Sequence, residues 1–154
     1  RDHCVTGVQT CALPIWEALD SLNDIIENYE DLTYGGSYNE APFVLIQRAS
    51  AELGLYQADR SAKRLTSMSE DLQAAIAILD QRRKSLLFSG GTNPVFERDY
   101  WSAWLQYMEV LKAQDRCEDV VQLIRSRRLM AGGGKDFAPA DLQARFDRLE
   151  KDCK

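Results

Sequence analysis

Three glycine clusters constrain this chain more than any other feature: Gly35-Gly36, Gly90-Gly91 and Gly132-Gly133-Gly134. Glycine adopts the left-handed backbone that closes a helix and resists continuing one. Between the clusters, apolar residues recur every three or four positions and show no sustained alternation. The chain therefore reads as all-α, built of helices that the clusters interrupt, with no strand pattern to pair.

Start and stop signals predict six helices, at about 17–31, 42–58, 69–88, 94–113, 117–131 and 139–152. In the first, Leu19, Leu22, Ile26 and Tyr29 share a face. Pro42 opens the second, with Phe43, Ile46, Ala49, Leu53 and Tyr56 as its expected buried stripe. Residues 59–68 have a weak pattern and read as a helical continuation or a connector. Ser67 and Glu70 have capping-box spacing, with Ser69 as an alternative cap. Leu72, Ala75, Ile76, Leu79 and Leu86 follow. The fourth helix has the clearest start, with Asn93 as cap and Pro94 in the first turn. Its Trp101, Trp104, Leu105, Met108 and Leu111 mark the centre of the core. Val120, Val121 and Ile124 point inward from the fifth, and Leu142, Phe146, Leu149 and Cys153 from the sixth.

Residues 1–16 read differently. They carry no helical stripe and no continuous apolar run of a signal peptide. Val5 to Ile15, VTGVQTCALPI, resembles a translated short-read sequencing adaptor, with Trp16 at the junction. The expectation is a non-native leader, disordered or loosely attached, ahead of a helical-repeat domain at 17–154. On this reading the domain is the C-terminal fragment of a longer protein. An upstream export signal would be lost with the native N-terminus, and a cytoplasmic location is slightly favoured. The first helix then reads as half of a truncated hairpin, able to self-associate through an exposed face.

Removing the leader reshapes the chemistry. His3 is the one histidine, and Cys4 and Cys11 are two of the four cysteines. The remainder has no histidine for acid–base catalysis or a nucleophile pair. It has no metal-ligand cluster, so catalytic residues, metal and cofactors are all read as none. Cys117 and Cys153 read as two reduced thiols in preference to a disulfide. Arg1 and Asp2 cancel, so the formal charge of −5 is unchanged and disfavours a general nucleic-acid binder. No apolar run approaches the ~20 residues a membrane helix needs.

Sharper readings compete with plainer ones. Gly132-Gly133-Gly134-Lys135 lacks the preceding strand and following Ser or Thr of a phosphate loop, and reads as a helix stop. The basic groups Arg82, Arg83, Lys84 and Arg125, Arg127, Arg128 could bind an anion. Cations near helix C-termini are also what the helix dipole favours, and that reading leads. Trp101 and Trp104 read as core, Glu27, Glu30 and Asp31 as a solvated acidic face, and Tyr34 to Tyr38 as a surface loop.

Two segments look alike. DLQAAIAILDQRR at 71–83 aligns with RCEDVVQLIRSRR at 116–128, matching Ala75 to Val120, Leu79 to Ile124, and Arg82-Arg83 to Arg127-Arg128. The helices before them correspond at a larger offset. Trp104, Tyr107, Met108 and Leu111, then Asp115 at the turn, then Val120 and Ile124, resemble the tetratricopeptide repeat family, as one good unit and one degenerate unit over 42–131. Met108 and Val120 stand where the family has small residues, and no Pro closes the repeat. The resemblance implies a short α-solenoid of antiparallel hairpins; a generic helical bundle is the other packing. It implies a non-enzymatic module that binds a protein or peptide along the first helix of each hairpin. The solvent-facing positions there are Ser102, Glu109 and Lys112, and by correspondence Arg48, Glu52 and Tyr56. The alternative is a helical accessory domain of an enzyme whose catalytic part lies upstream.

Overall fold

The computed structural model describes residues 7–28, 41–134 and 136–154. These form six helices: α1 (Gly7–Asn28), α2 (Ala41–Asp59), α3 (Ala62–Phe88), α4 (Pro94–Ala113), α5 (Cys117–Met130) and α6 (Ala140–Asp152). No strand occurs among the described residues. Tyr29, Glu30, Asp31, the Gly35-Gly36 cluster, the Tyr34 to Tyr38 loop and Lys135 lie outside them. The chain divides into two compact units, Arg1–Ala75 and Ile76–Lys154.

The glycine clusters inside the described residues do what the sequence requires of them. Gly90 has φ +71° and Gly132 has φ +96°. Each closes its helix with a pair of backward bonds: Gly90 N–H to Leu87 O and Gly91 N–H to Leu86 O, and Gly132 N–H to Leu129 O and Gly133 N–H to Arg128 O. This is the double bond of a Schellman ending, which satisfies two carbonyls the helix leaves open. Asp115 makes the same ending to α4 without being glycine. It sits at φ +60°, and the N–H groups of Asp115 and Arg116 bond Lys112 O and Leu111 O. Asp tolerates this region better than most side chains do.

In the first unit α1 packs along α2. The helix begins at Gly7 and runs through Pro14, so residues 7–16 of the expected leader are helical. Gly54 lets the two helices come close, since a Cβ there would stand 3.0 Å from Ile15 Cδ1. Leu19 is buried, and Leu22 and Ile26 are half-buried.

The buried face of α2 differs from the expected stripe. Pro42, Ala49 and Leu55 are innermost, Ile46 and Tyr56 are half-buried, and Phe43 and Leu53 are exposed. Close approach at Gly54 and inward-turned charges at Arg48 and Glu52 select this face over the larger side chains.

Helix α3 starts at Ala62, so residues 62–68 continue the helix and are no connector. Asp59 organises the break. Its carboxylate accepts from Ser61 N at 2.9 Å and Arg64 Nε at 2.7 Å, while Arg60 takes φ +54°. Leu65, Met68, Leu72 and Ala75 then form a buried stripe. Ser69 is buried inside this helix, where it accepts from Gln73 Nε2, and neither it nor Ser67 caps anything.

The second unit is organised by α4. Asn93 Oδ1 accepts from the N–H groups of Val95 and Phe96 at 3.1 and 3.2 Å, the bonds expected of an N-cap. Trp101, Trp104, Leu105, Met108 and Leu111 are all buried, as are Val120 and Ile124 of α5 and Leu142, Phe146 and Leu149 of α6; Val121 is half-buried. Helix α6 packs on both α4 and α5. Trp101 meets Tyr100, Phe137 and Phe146 edge-on at 4.9, 5.2 and 6.3 Å. Gln143, also buried, reaches back from α6 to accept from Phe137 N and Ala138 N.

Cys117 and Cys153 form a disulfide, with Cα atoms 4.9 Å apart, correcting the expectation of two thiols. The first residue of α5 and the residue capping α6 are brought side by side by the packing of those helices, which spacing in sequence could not reveal.

Candidate partner-binding surface

The six positions nominated from sequence fall into two groups, one in each unit. In the first unit, Arg48 is not solvent-facing. Its guanidinium grips Asp71 with two bonds, at 2.7 and 2.5 Å, and Nη1 donates to Asn23 Oδ1 at 3.2 Å. The Asp71 side chain is only 6% exposed, so this charge pair is a packing element that ties α2 to α3. Glu52 likewise turns inward to Arg64 at 2.6 Å, and Arg64 also lies 4.7 Å over the Trp16 ring. Tyr56 is half-buried with Arg60 5.4 Å above its ring. This group is committed to holding the unit together.

In the second unit, Ser102 is half-buried on α4. Glu109 and Lys112 face α6, where Glu109 accepts from Arg145 at 2.8 Å and Lys112 donates to Asp152 at 2.7 Å. Together with Arg148 and Leu149 these four line a cleft of about 310 Å³. The hydrogen bond from Lys112 holds the Asp152 carboxyl below its ordinary range. All four paired side chains are more than a third exposed, so each bridge is open to solvent. Exposed ion pairs of this kind contribute only ~0–1 kcal/mol. They can be exchanged for bonds to an incoming chain at little cost. The sequence reading missed Arg145, Arg148 and Asp152. The signal was the charged outer face of the last helix, which repeats every three or four residues.

A second cleft, of about 320 Å³, runs between α4 and α5 beside Tyr107, Leu111, Asp119 and Leu123. A third, of about 440 Å³, lies beside Cys153, Val121 and Arg125. No group of three or more His, Cys, Asp or Glu among the described residues is placed to hold a metal ion. None of the helices among them is long and apolar enough to cross a membrane.

Of the basic clusters at the ends of α3 and α5, Arg83, Arg127 and Arg128 are engaged inside the second unit, while Lys84 and Arg125 stand exposed. Arg83 pairs with Glu97 of α4 at 2.8 Å and lies over Tyr100 and Trp101 at 4.9 and 5.5 Å. Arg128 pairs with Glu150 and Asp147 of α6 at 2.6 and 2.9 Å and lies 5.9 Å over Phe137. Arg127 stacks 3.7 Å over Trp104 and donates to the Tyr100 hydroxyl, which itself donates to Asp80 at 2.6 Å. Burial, reinforced by that bond to Asp80, pushes the Tyr100 phenol up to about 12, so it is a neutral donor at any physiological pH. Arg83 and Arg128 occupy matching places in the two similar segments and do matching work. Each reaches from one helix to the next helix in the chain, bonds a carboxylate there and covers an aromatic ring.

No family model, curated protein or solved structure matches this chain.

Proposed function

We propose that the chain is a non-enzymatic interaction module of the tetratricopeptide-like helical-repeat kind, and that it binds a protein or peptide segment at the α4–α6 cleft. The observation that carries this is the matched pair of bridges made by Arg83 and Arg128. Arg83 of α3 bonds Glu97 in the first turns of α4 and covers Tyr100 and Trp101, and Arg128 of α5 bonds Asp147 and Glu150 of α6 and covers Phe137 just before that helix. Ties of this kind between successive helices are what a stacked repeat requires. The outer positions of α6, Asp141, Arg145, Arg148, Lys151 and Asp152, are all exposed and charged.

Within this reading the cleft offers Lys112, Arg145 and Arg148 against Glu109 and Asp152, with Leu149 at its floor. An extended peptide carrying both charge signs around an apolar residue fits that lining. Panning a random peptide library on the full chain, then measuring the selected peptides against the Glu109→Ala, Lys112→Ala double variant, tests it. Peptides that bind the parent and lose at least about tenfold in affinity with the variant support the assignment. Peptides that bind both equally, or a library that yields none, overturn it.

A further inference from the structure

The disulfide that closes the second unit joins two unlike helix ends. Cys117 is the first residue of α5, and Cys153 caps α6, where its N–H bonds Leu149 O. Both residues are half-buried, so the bond lies within reach of solvent. The two ends act oppositely on a thiolate. A helix N-terminus stabilises the anion, whereas a helix C-terminus favours cations. The first amides of α5 are also open to an anion, because Arg116, the residue before them, makes no side-chain bond to them. Two carboxylates in that turn oppose the effect. Asp119 is held by Arg116 at 2.7 Å, and Glu118 is exposed to water. Cys153 is flanked by opposite charges, Asp152 and Lys154. In thiol–disulfide exchange the sulfur with the more stable thiolate leaves faster. Cys117 is therefore the better leaving group, and Cys153 the sulfur to be attacked.

Access points the same way. Cys153 stands on the wall of the cleft of about 440 Å³, and Cys117 does not. That volume falls in the range of small-molecule sites, roughly 300–1,000 Å³. One stripe of α5 supplies most of the remaining wall: Glu118, Val121, Gln122 and Arg125. They follow at i, i+3, i+4 and i+7, a stretch of two turns, about 10 Å. From the disulfide outward the stripe offers a carboxylate, an apolar side chain, an amide and an exposed guanidinium. A short cysteinyl peptide matches that order, with its ammonium toward Glu118, its backbone amides toward Gln122 and a carboxylate toward Arg125.

We propose that the Cys117–Cys153 bond is a thiol–disulfide exchange site for a small peptide thiol seated along α5. The incoming thiolate attacks Cys153 Sγ and forms a new S–S bond there. The Cys117–Cys153 bond breaks, and its electron pair leaves on Cys117 Sγ as a thiolate. One disulfide is consumed and one is formed, so no further oxidant or reductant takes part. The cleft is separate from the one between α4 and α6, and the proposal does not rest on the peptide-binding reading.

Glutathione is the probe, offered to the full chain carrying Cys4→Ser and Cys11→Ser so that no other cysteine competes. After an acid quench early in the reaction, mass mapping should find glutathione on Cys153 and a free thiol at Cys117. The reverse adduct should be at least about tenfold rarer. Arg125→Ala, a change on the surface, should slow glutathione about threefold relative to 2-mercaptoethanol, which carries no carboxylate. An adduct chiefly on Cys117 overturns the proposal. So does equal labelling of the two sulfurs, the result of a bond reached only through unfolding. A bond that glutathione leaves intact, or an Arg125→Ala rate ratio equal to the parent's, overturns it as well.

Discussion

The two units are stabilised by different means. Among the described residues, the first unit buries Leu19, Leu55, Leu65, Met68 and Leu72 with small residues between them, and no aromatic ring. Its remaining ties are charged: Arg48 on Asp71, and Arg64 on Glu52 and Asp59. The second unit buries Tyr100, Trp101, Trp104, Phe137 and Phe146, covers rings with arginine, and closes with a disulfide. Burial of large apolar surface is additive and insensitive to solution conditions near neutrality. Charge pairs partly removed from water gain little net energy and are costly when half-removed. The first unit should therefore depend on its charged ties, and the second should fail chiefly when its core or its covalent closure is attacked.

Trp101→Ala tests the core directly. Trp101 is 4% exposed at the centre of the edge-on ring cluster, so its loss should cost about 3–5 kcal/mol. Urea unfolding followed by circular dichroism measures it. Leu55→Ala in the first unit, beside smaller neighbours, should cost about 2–3 kcal/mol. A larger loss there than at Trp101 would break the contrast between the units.

Reduction of the disulfide comes next. Cys117 and Cys153 are 36 residues apart, and freeing a loop of that size returns about 3–4 kcal/mol of chain entropy to the unfolded state. Thermal melts with and without a thiol reductant should show the second unit melting earlier and the first unchanged.

The third test addresses the charged ties. Arg48→Met leaves Asp71 buried without its partner. Because the Arg48 side chain is itself 22% exposed, the cost should be about 2–3 kcal/mol, below that of a fully buried pair. Adding Asp71→Leu should recover most of it. A double variant as unstable as the single one would show that the pair does more than offset its own burial.

The smallest effect is a pH dependence in the second unit. The Lys154 ammonium, with help from Arg128, holds the Glu150 carboxyl below its ordinary range. A carboxyl depressed in the folded state contributes its full stabilisation above the unfolded value and loses it as pH falls through the folded one. Urea midpoints should therefore drop on acidification below about pH 4, and Glu150→Gln should flatten that drop. A parent profile that stays flat over the same range would remove Glu150 from the account.

The sequence revealed whatever was decided locally. Gly90 and Gly132 were readable as helix stops because few other residues take a positive φ. Asn93 was readable as a cap because its side chain bonds the very next turn. The α4 core was readable because large rings at helical spacing have few alternatives to burial. What escaped was decided over distance. Leu65 and Met68 are separated by polar residues, and the Ser67–Glu70 spacing suggested a cap where burial instead carries α3 on to Ala62. Arg48 and Glu52 carry charge and read as solvent-facing. Their partners lie 23 and 12 residues away, on another helix. Glu109 and Lys112 line a cleft with α6 residues that lie 36 and 40 residues further on. In α2 the small residues Ala49 and Gly54, not the large ones, mark where helices meet.

The bond between Cys117 and Cys153 has one more consequence. It makes α5, the Gly132–Gly134 turn and α6 a single covalent ring. Residues 131–134 are all exposed, so that turn is where a protease would reach the ring first. A cut at Gly133 would open the ring yet release nothing. The nicked chain would migrate as one molecule on a gel until a thiol was added, and only then would a short piece carrying α6 separate.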